Sequence, residues 1–340
     1  MRRLWVGVLA AVLGIAAFQA TGAQVRTINP EQLLAERFGF TADEVSRARS
    51  GQAVAKLLPN NDASDVGVIA AVRITAQASR LVNWLQNVAD FRRAAELGLA
   101  RRLSNQPQMA DFADVSLDAN ELTALRACRP GRCDLLIGDT AIARIQGDVD
   151  WSSPDAARRA NLSMRQLLLA HADAYLKGGD QALGAVHDEK QPRVRVDDFH
   201  QVLWQSKELY DIAPALTAYL EAFPNARPPK AEQFLYWAKG GAGPEASVTL
   251  HQIVIYPAPG GETFVVDKQL FASRYVDAGL VVISLAPAPD GQGFYAIAGA
   301  RARSRMLAGT AARLLRGTVE KTTMETATMY LDWVRASLTI

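Results

Sequence analysis

Between Val248 and Arg303 the chain repeats one pattern four times: a run of β-branched, aromatic and small residues, then a short cluster of turn formers. The runs are VTLHQIVIYP, TFVVDKQLFASRY, GLVVISLAP and GFYAIAGARAR. Between them stand Pro257, Pro259, Gly260 and Gly261, then Asp277, Ala278 and Gly279, then Pro287, Pro289, Asp290 and Gly291. Such runs read as strands bounded by turns. A parallel pair needs a crossover of a dozen or more residues, and none of these connections has that length. The four strands are therefore expected as antiparallel neighbours in sequence order. From about Arg303 a helical pattern follows, with Leu307, Ala311, Leu314, Leu315, Val319, Leu331 and Val334 on its apolar side.

A fifth strand is expected upstream. Val66, Val68, Ala70, Val72 and Ile74 lie two apart and share a strand face, after which Leu81, Val82, Leu85, Val88 and Ala89 change to helical spacing beside Trp84. A strand running into small helices like VNWLQNVADF, then a meander and a long terminal helix, resembles the helix-grip superfamily, which includes START lipid-transfer domains and polyketide cyclases. The resemblance rests on the two ends of the chain and implies an α+β fold. Its curved antiparallel sheet would hold the 68–74 strand, and the C-terminal helix would lie across that sheet and close a cavity. The small residues Ala308, Gly309, Ala311, Ala312 and Gly317 would leave room there for a guest.

The remaining organisation follows from composition shifts. Arg2 and Arg3 precede an apolar run from Leu4 to Phe18, and Thr21, Gly22 and Ala23 follow, the pattern of a cleaved signal peptide over residues 1–23. The run is too short to span a bilayer, so no integral membrane span is expected after signal removal. Cleavage after Ala23 would take the formal charge from +2 to zero, which gives no electrostatic footprint for nucleic acid. With 49% hydrophobic and 21% charged residues the chain can bury an ordinary core. Residues 24–62 read as an N-terminal helical segment, with Thr41 capping a helix whose first turn holds Asp43 and Glu44. Residues 63–340 form the helix-grip-like domain, with a large helical insertion at about 151–245. That insertion starts at Ser153-Pro154 and includes FHQVLWQSKELY, APALTAYLEAFP and, at its end, EQFLYWAKGG. LARRLS, DFADVSL and CDLLIGD look extended.

Cys128 and Cys133, the only cysteines, flank Pro130-Gly131, a turn dipeptide that brings them within disulfide reach. In an oxidising compartment they are expected to pair. The spacing is not C-x-x-C, and no further metal ligands stand nearby.

The search for chemistry finds no catalytic motif. The histidines His171, His187, His200 and His251 include no H-E-x-x-H pair, no serine stands in G-x-S-x-G, and the glycine clusters lack the context of a nucleotide loop. No cofactor and no metal are expected. His251 lies in a candidate strand and can face a cavity. Alternation on the last strand puts Phe294, Ala296, Ala298 and Ala300 on one face and Tyr295, Ile297, Gly299, Arg301 and Arg303 on the other. Arg301, Arg303 and Arg305 suit an anionic headgroup, unless they form a solvated face balanced by acids. A direct arginine contact requires the tyrosine face to lie inward under the helix. The expected ligand contacts are Arg301, Arg303, Tyr295 and His251. The reading is an exported, non-enzymatic binding protein for a small apolar or amphipathic molecule, a lipid-like carrier or sensor. The alternatives are an envelope scaffold whose helical region docks a partner, or a hydrolase or cyclase of unrecognised type.

Overall fold

A computed structural model of the chain describes residues 29–187, 191–240, 246–309 and 312–339. The expected signal segment, the Asp188/Glu189 pair, the loop from Gly241 to Pro244 and Ala311 lie outside the described residues, as do the side chains of Arg313, Leu314 and Leu315.

The chain opens with α1 (Pro30–Glu36) and α2 (Ala42–Arg49), followed by β1 (Val54–Leu57), β2 (Asp65–Ile74), α3 (Ala78–Gln86), α4 (Val88–Ala94) and β3 (Leu99–Arg102). A helical stretch then holds α5 (Ala119–Ala127), α6 (Asp139–Asp148), α7 (Ala156–Gly178), the short hairpin β4 (Ala185–Val186) and β5 (Arg193–Val194), α8 (Arg195–Trp204), α9 (Lys207–Ile212) and α10 (Pro214–Ala222). It is followed by β6 (Glu232–Gly240), β7 (Ser247–Pro257), β8 (Thr263–Ala272), β9 (Ala278–Pro287), β10 (Phe294–Arg303) and α11 (Ala312–Leu338).

Eight strands form one open sheet in the order β1-β2-β10-β9-β8-β7-β6-β3, and every ladder is antiparallel. The meander β7 to β10 runs in sequence order, as its short turns require. β2 joins the same sheet along all of β10, from Phe294 opposite Ile74 to Arg303 opposite Asp65. The fold is thus α+β with a long C-terminal helix. Both edge strands are only four residues long, which limits pairing with other chains.

Several local expectations need correction. EQFLYWAKGG is not the last helix of the insertion but β6, in which Phe234 to Ala238 are buried without a break. A continuous apolar run does not distinguish a strand covered on both faces from a buried helix. Val54, placed in the opening helical segment, belongs to β1, because the chain turns at Gly51 with φ +87°. Helices α5 and α6 precede the expected start of the insertion, and α7 begins at Ala156, after Ser153-Pro154. Within the expected helical insertion, Leu183 and Val186 belong to a 3-10 turn and to β4. DFADVSL begins in a 3-10 helix (Met109–Phe112) and continues as turn and loop, and Leu135 to Ile137 of CDLLIGD are buried without joining a strand. The terminal helix starts at Ala312, so Ala308 and Gly309 are exposed linker, and Arg305 sits in a 3-10 turn beyond the end of β10. The Thr41 cap is as expected, a reciprocal box with Glu44.

Strand alternation gives the sheet two faces, and both are covered. On one, Ala70, Val72, Ile253, Ile255, Phe294 and Ala296 pack against α3, α4 and the last third of α11 through Leu331, Val334 and Leu338. On the other, α1 and α2 cover Ile69, Ala71, Tyr295 and Ile297, while the helical stretch covers Leu235, Trp237, Leu250, Val254 and Val266. Helix, sheet and helix therefore form three layers. The contacts of α11 run chiefly along β2 and β1. Its residues before Ala327 are exposed or half-buried, apart from Ala312 and the three side chains outside description.

Candidate functional site

On the α11 face the sheet carries a polar unit in an otherwise apolar floor. Tyr236 on β6 and His251 on β7 are cross-strand partners whose rings stack at 4.7 Å with an 11° tilt. Asp267 on β8 joins them, accepting from the Tyr236 hydroxyl at 2.5 Å and from His251 Nδ1 at 2.8 Å. The β7–β8 register shifts between Leu250 and His251, and a bulge of this kind re-aims the side chains beside it.

The electrostatics define what each group offers. Burial pushes Asp267 up, but the His251 charge and the hydrogen bonds from His251 and Tyr236 outweigh it, and the carboxyl is held below its ordinary 3.8. Asp267 is therefore ionised at neutral pH and can only accept, so Nδ1 of His251 carries the proton it donates and Nε2 is left for another partner. Burial and the Asp267 charge hold Tyr236 well above 10, which keeps it a donor. The Tyr330 hydroxyl from α11 is buried with no hydrogen-bond partner, as is Nε of Arg92, and burial raises Tyr330 to about 12. Both lie within electrostatic range of Asp267. Phe91 and Trp333 pack against Tyr330, Trp84 packs against both of them, and the cluster fixes the end of α11 on this face. On neighbouring strands the floor is low and half-buried, made by Ala298 and Ala300 with Val281 and Ile283.

His251 thus lies on the α11 face. Tyr295, Arg301 and Arg303 do not. With the alanine face of β10 under α11, Tyr295, Arg301 and Arg303 point into the opposite layer, out of reach of a ligand held beneath the helix. Tyr295 donates to Glu31 at 2.5 Å, and Arg49 donates to the same carboxylate at 2.8 Å. Arg303 bridges Asp65 at 2.8 Å, Asp198 at 3.0 Å and Asp62 at 3.4 Å, tying the N-terminal segment, α8 and the sheet together. Arg193 extends that network to Asp198 and Asp277, each at 2.7 Å. Arg301 donates to the Pro59 carbonyl at 2.9 Å, and burial lowers its pKa.

Arg301 does line a cavity, but one of only about 60 Å³, at the seam where α1 and α9 meet the sheet. Ser284 Oγ and Arg301 Nε have no partners there. The register puts Ser284 opposite Ile297, four residues along β10 from Arg301. Ligand pockets run to roughly 300–1,000 Å³, so this space suits a few waters.

The groups that sequence reading missed are Asp267, Tyr236, Tyr330 and Arg92. One signal was present: Asp267 and Lys268 are adjacent charges inside an apolar strand, and alternation sends one to each face. Tyr236 was hidden in the run misread as helix.

Cys128 and Cys133 are disulfide-bonded, with Cα atoms 4.3 Å apart. Gly131 takes the positive φ of 76° that the turn demands, and Arg129 and Arg132 exchange both backbone hydrogen bonds. Among the described residues no helix is long and apolar enough to cross a membrane. No protein-family model matches the sequence, and no curated protein matches it. A solved structure, the di-domain aromatase/cyclase StfQ from the steffimycin biosynthetic pathway, is similar at 16% identity and a TM-score of 0.21, over 40% of this chain and 46% of that one. The chain therefore spans less than half the length of that protein.

Proposed function

We propose that this chain is an exported protein that binds a small amphipathic molecule on the α11 face of its sheet, in the manner of a helix-grip carrier or sensor. The observation that carries the reading is the Tyr330 hydroxyl, buried without a partner beside an Asp-His-Tyr unit whose imidazole has one nitrogen to spare. A buried polar group without a partner costs about 1–3 kcal/mol, which a ligand hydroxyl or carbonyl would recover. The alanines of β10 and the side chains of Val281 and Ile283 supply the apolar floor. Export is supported by the disulfide and by the leader pattern of residues 1–23.

A second reading is favoured by one feature. An imidazole held by a carboxylate is also the arrangement of a general base, so the same site suits an enzyme working by acid–base chemistry. Native mass spectrometry of the mature protein from its own cells distinguishes the outcomes. A binding protein retains an unmodified small molecule, and both His251→Ala and Tyr330→Phe lose it while remaining folded. Retention by both variants, or no retained molecule in any preparation, would overturn the assignment of this face.

A further inference from the structure

A larger, open cavity than the one at Arg301 lies among the elements of the helical stretch, with a volume of about 420 Å³. It is within the size range of sites for small organic molecules. One wall is a single face of α7, where Ser163, Leu167, Ala170, His171 and Ala174 recur at helical spacing. The two alanines create the space. A second wall is the start of α6, and the third is the segment from Ala182 to His187. The walls are held at close quarters: a Cβ on Gly138 would come within 2.3 Å of the Ala185 carbonyl. His187 is pinned on both sides, its N–H to Ile137 O at 3.1 Å and its carbonyl to the N–H of Gly131 in the disulfide turn at 3.0 Å.

Two histidines line this space, and each has Nδ1 committed. That of His171 bonds the Leu167 carbonyl at 3.0 Å, and that of His187 bonds Asp139 at 2.5 Å. A carbonyl oxygen only accepts, so His171 Nδ1 must carry the hydrogen. Burial, with the Arg195 charge nearby, lowers His171 to about 4, which leaves the ring neutral and its Nε2 an acceptor at neutral pH. The charges around the cavity already have answers. Asp139 faces His187, and Arg144 donates to Gln166 at 2.7 Å and to Asp148 at 3.4 Å. A carboxylate entering here would meet Asp139 and a neutral imidazole. A hydroxyl would meet an acceptor.

We propose that this cavity is a second binding site, for a small uncharged molecule that is mainly apolar and carries one hydroxyl, a phenol or an alcohol, with its O–H donated to Nε2 of His171. Ile145, Leu167, Leu183 and Pro192 take the apolar body. The site lies on the opposite side of the sheet from Tyr330 and His251, so neither assignment depends on the other.

The test uses the mature chain and three probes of one shape: 4-ethylphenol, its methyl ether and 4-ethylbenzoate. Binding is measured at pH 7 by calorimetry or ligand-observed NMR. The phenol is expected to bind, the ether about tenfold more weakly, since one buried hydrogen bond is worth roughly that factor, and the benzoate not measurably. Ala174→Leu fills the cavity and should weaken phenol binding at least tenfold. His171→Phe should bring phenol and ether to the same affinity. The wild-type probe series stands even where a filling variant fails to fold. Equal binding of ether and phenol, tighter binding of the benzoate, or a folded Ala174→Leu protein with unchanged affinity would each overturn the proposal.

Discussion

The two faces of the sheet receive charge from the same strands and use it in opposite ways. On β8 the adjacent residues Asp267 and Lys268 point to opposite layers. Asp267 sits half-buried in a unit that leaves His251 with a free nitrogen and Tyr330 with a free hydroxyl. Lys268 is wholly buried, ion-paired to Asp180 and lying 3.6 Å from the centre of the Phe199 ring. On β10 the contrast recurs: Ala298 and Ala300 face α11, while Arg301 and Arg303 are clamped by the N-terminal segment and α8. One layer spends its polar groups on holding parts of the chain together, and the other leaves some of them available. An arginine on a strand is thus no guide to a ligand until its face is known.

The strongest test of this contrast is the Lys268–Asp180 pair. Asp180→Ala should strand a buried ammonium and cost about 3–5 kcal/mol in urea unfolding, whereas Lys268→Met with Asp180→Leu should recover most of that loss. The pH dependence has a definite sign. Burial lowers folded Lys268 to about 8 despite its partner, against 10.5 ordinarily. Between those values the unfolded chain binds the extra proton, so stability should rise as pH goes from 8 to 10.5, and Lys268→Met should abolish the rise. A flat alkaline profile in the parent would remove the claim that this layer's charge is structural.

Next in size is Arg303. Arg303→Ala leaves Asp65 and Asp198 without their shared cation, and a loss of about 2 kcal/mol is expected, with the N-terminal segment becoming more protease-sensitive. Any ligand retained on the α11 face should be unaffected.

The disulfide ranks beside it. Closing so short a loop contributes about 2 kcal/mol by the chain-entropy argument. The mature protein should show no free thiol until reduced, by quantitative labelling of the denatured chain. On reduction, hydrogen-exchange protection should fall first at the Gly131 amide, whose N–H ties the disulfide turn to the His187 carbonyl. Free thiols before reduction would break the export reading as well.

Legibility in the sequence followed the length of the connections and the alternation of side chains. The order β7 to β10 was readable because each turn is too short for a crossover, and β2 because its valines alternate. The Cys128–Cys133 pairing was readable from one local turn. What failed was the assignment of faces and of doubly covered segments. Phe234 to Ala238 are buried on both sides, so no polar residue marks a period of two, and Tyr236 passed as part of a helix. The face of β10 that meets α11 is decided by α1 and α2, whose Leu33, Leu34 and Val45 need Tyr295 and Ile297 as their floor. That is a contact across more than 240 residues of chain, to which local periodicity is blind.

The smallest effect on stability is expected on the α11 face, and it is the sharpest test of the contrast. The His251–Asp267 pair is partly open to water, with side-chain exposures of 15% and 29%, so breaking it by His251→Ala should cost less than about 1 kcal/mol. Because the folded Asp267 carboxyl is held below 3.8, its contribution is present above that value and disappears as pH falls through the lower, folded one. In His251→Ala the carboxyl loses its largest favourable partner and moves back up, so the acid unfolding midpoint should shift slightly toward higher pH. Thermal unfolding from pH 2.5 to 5 would show it. If His251→Ala instead costs as much as Asp180→Ala, then the α11-face unit is structural like the opposite layer, and the contrast between the two faces disappears.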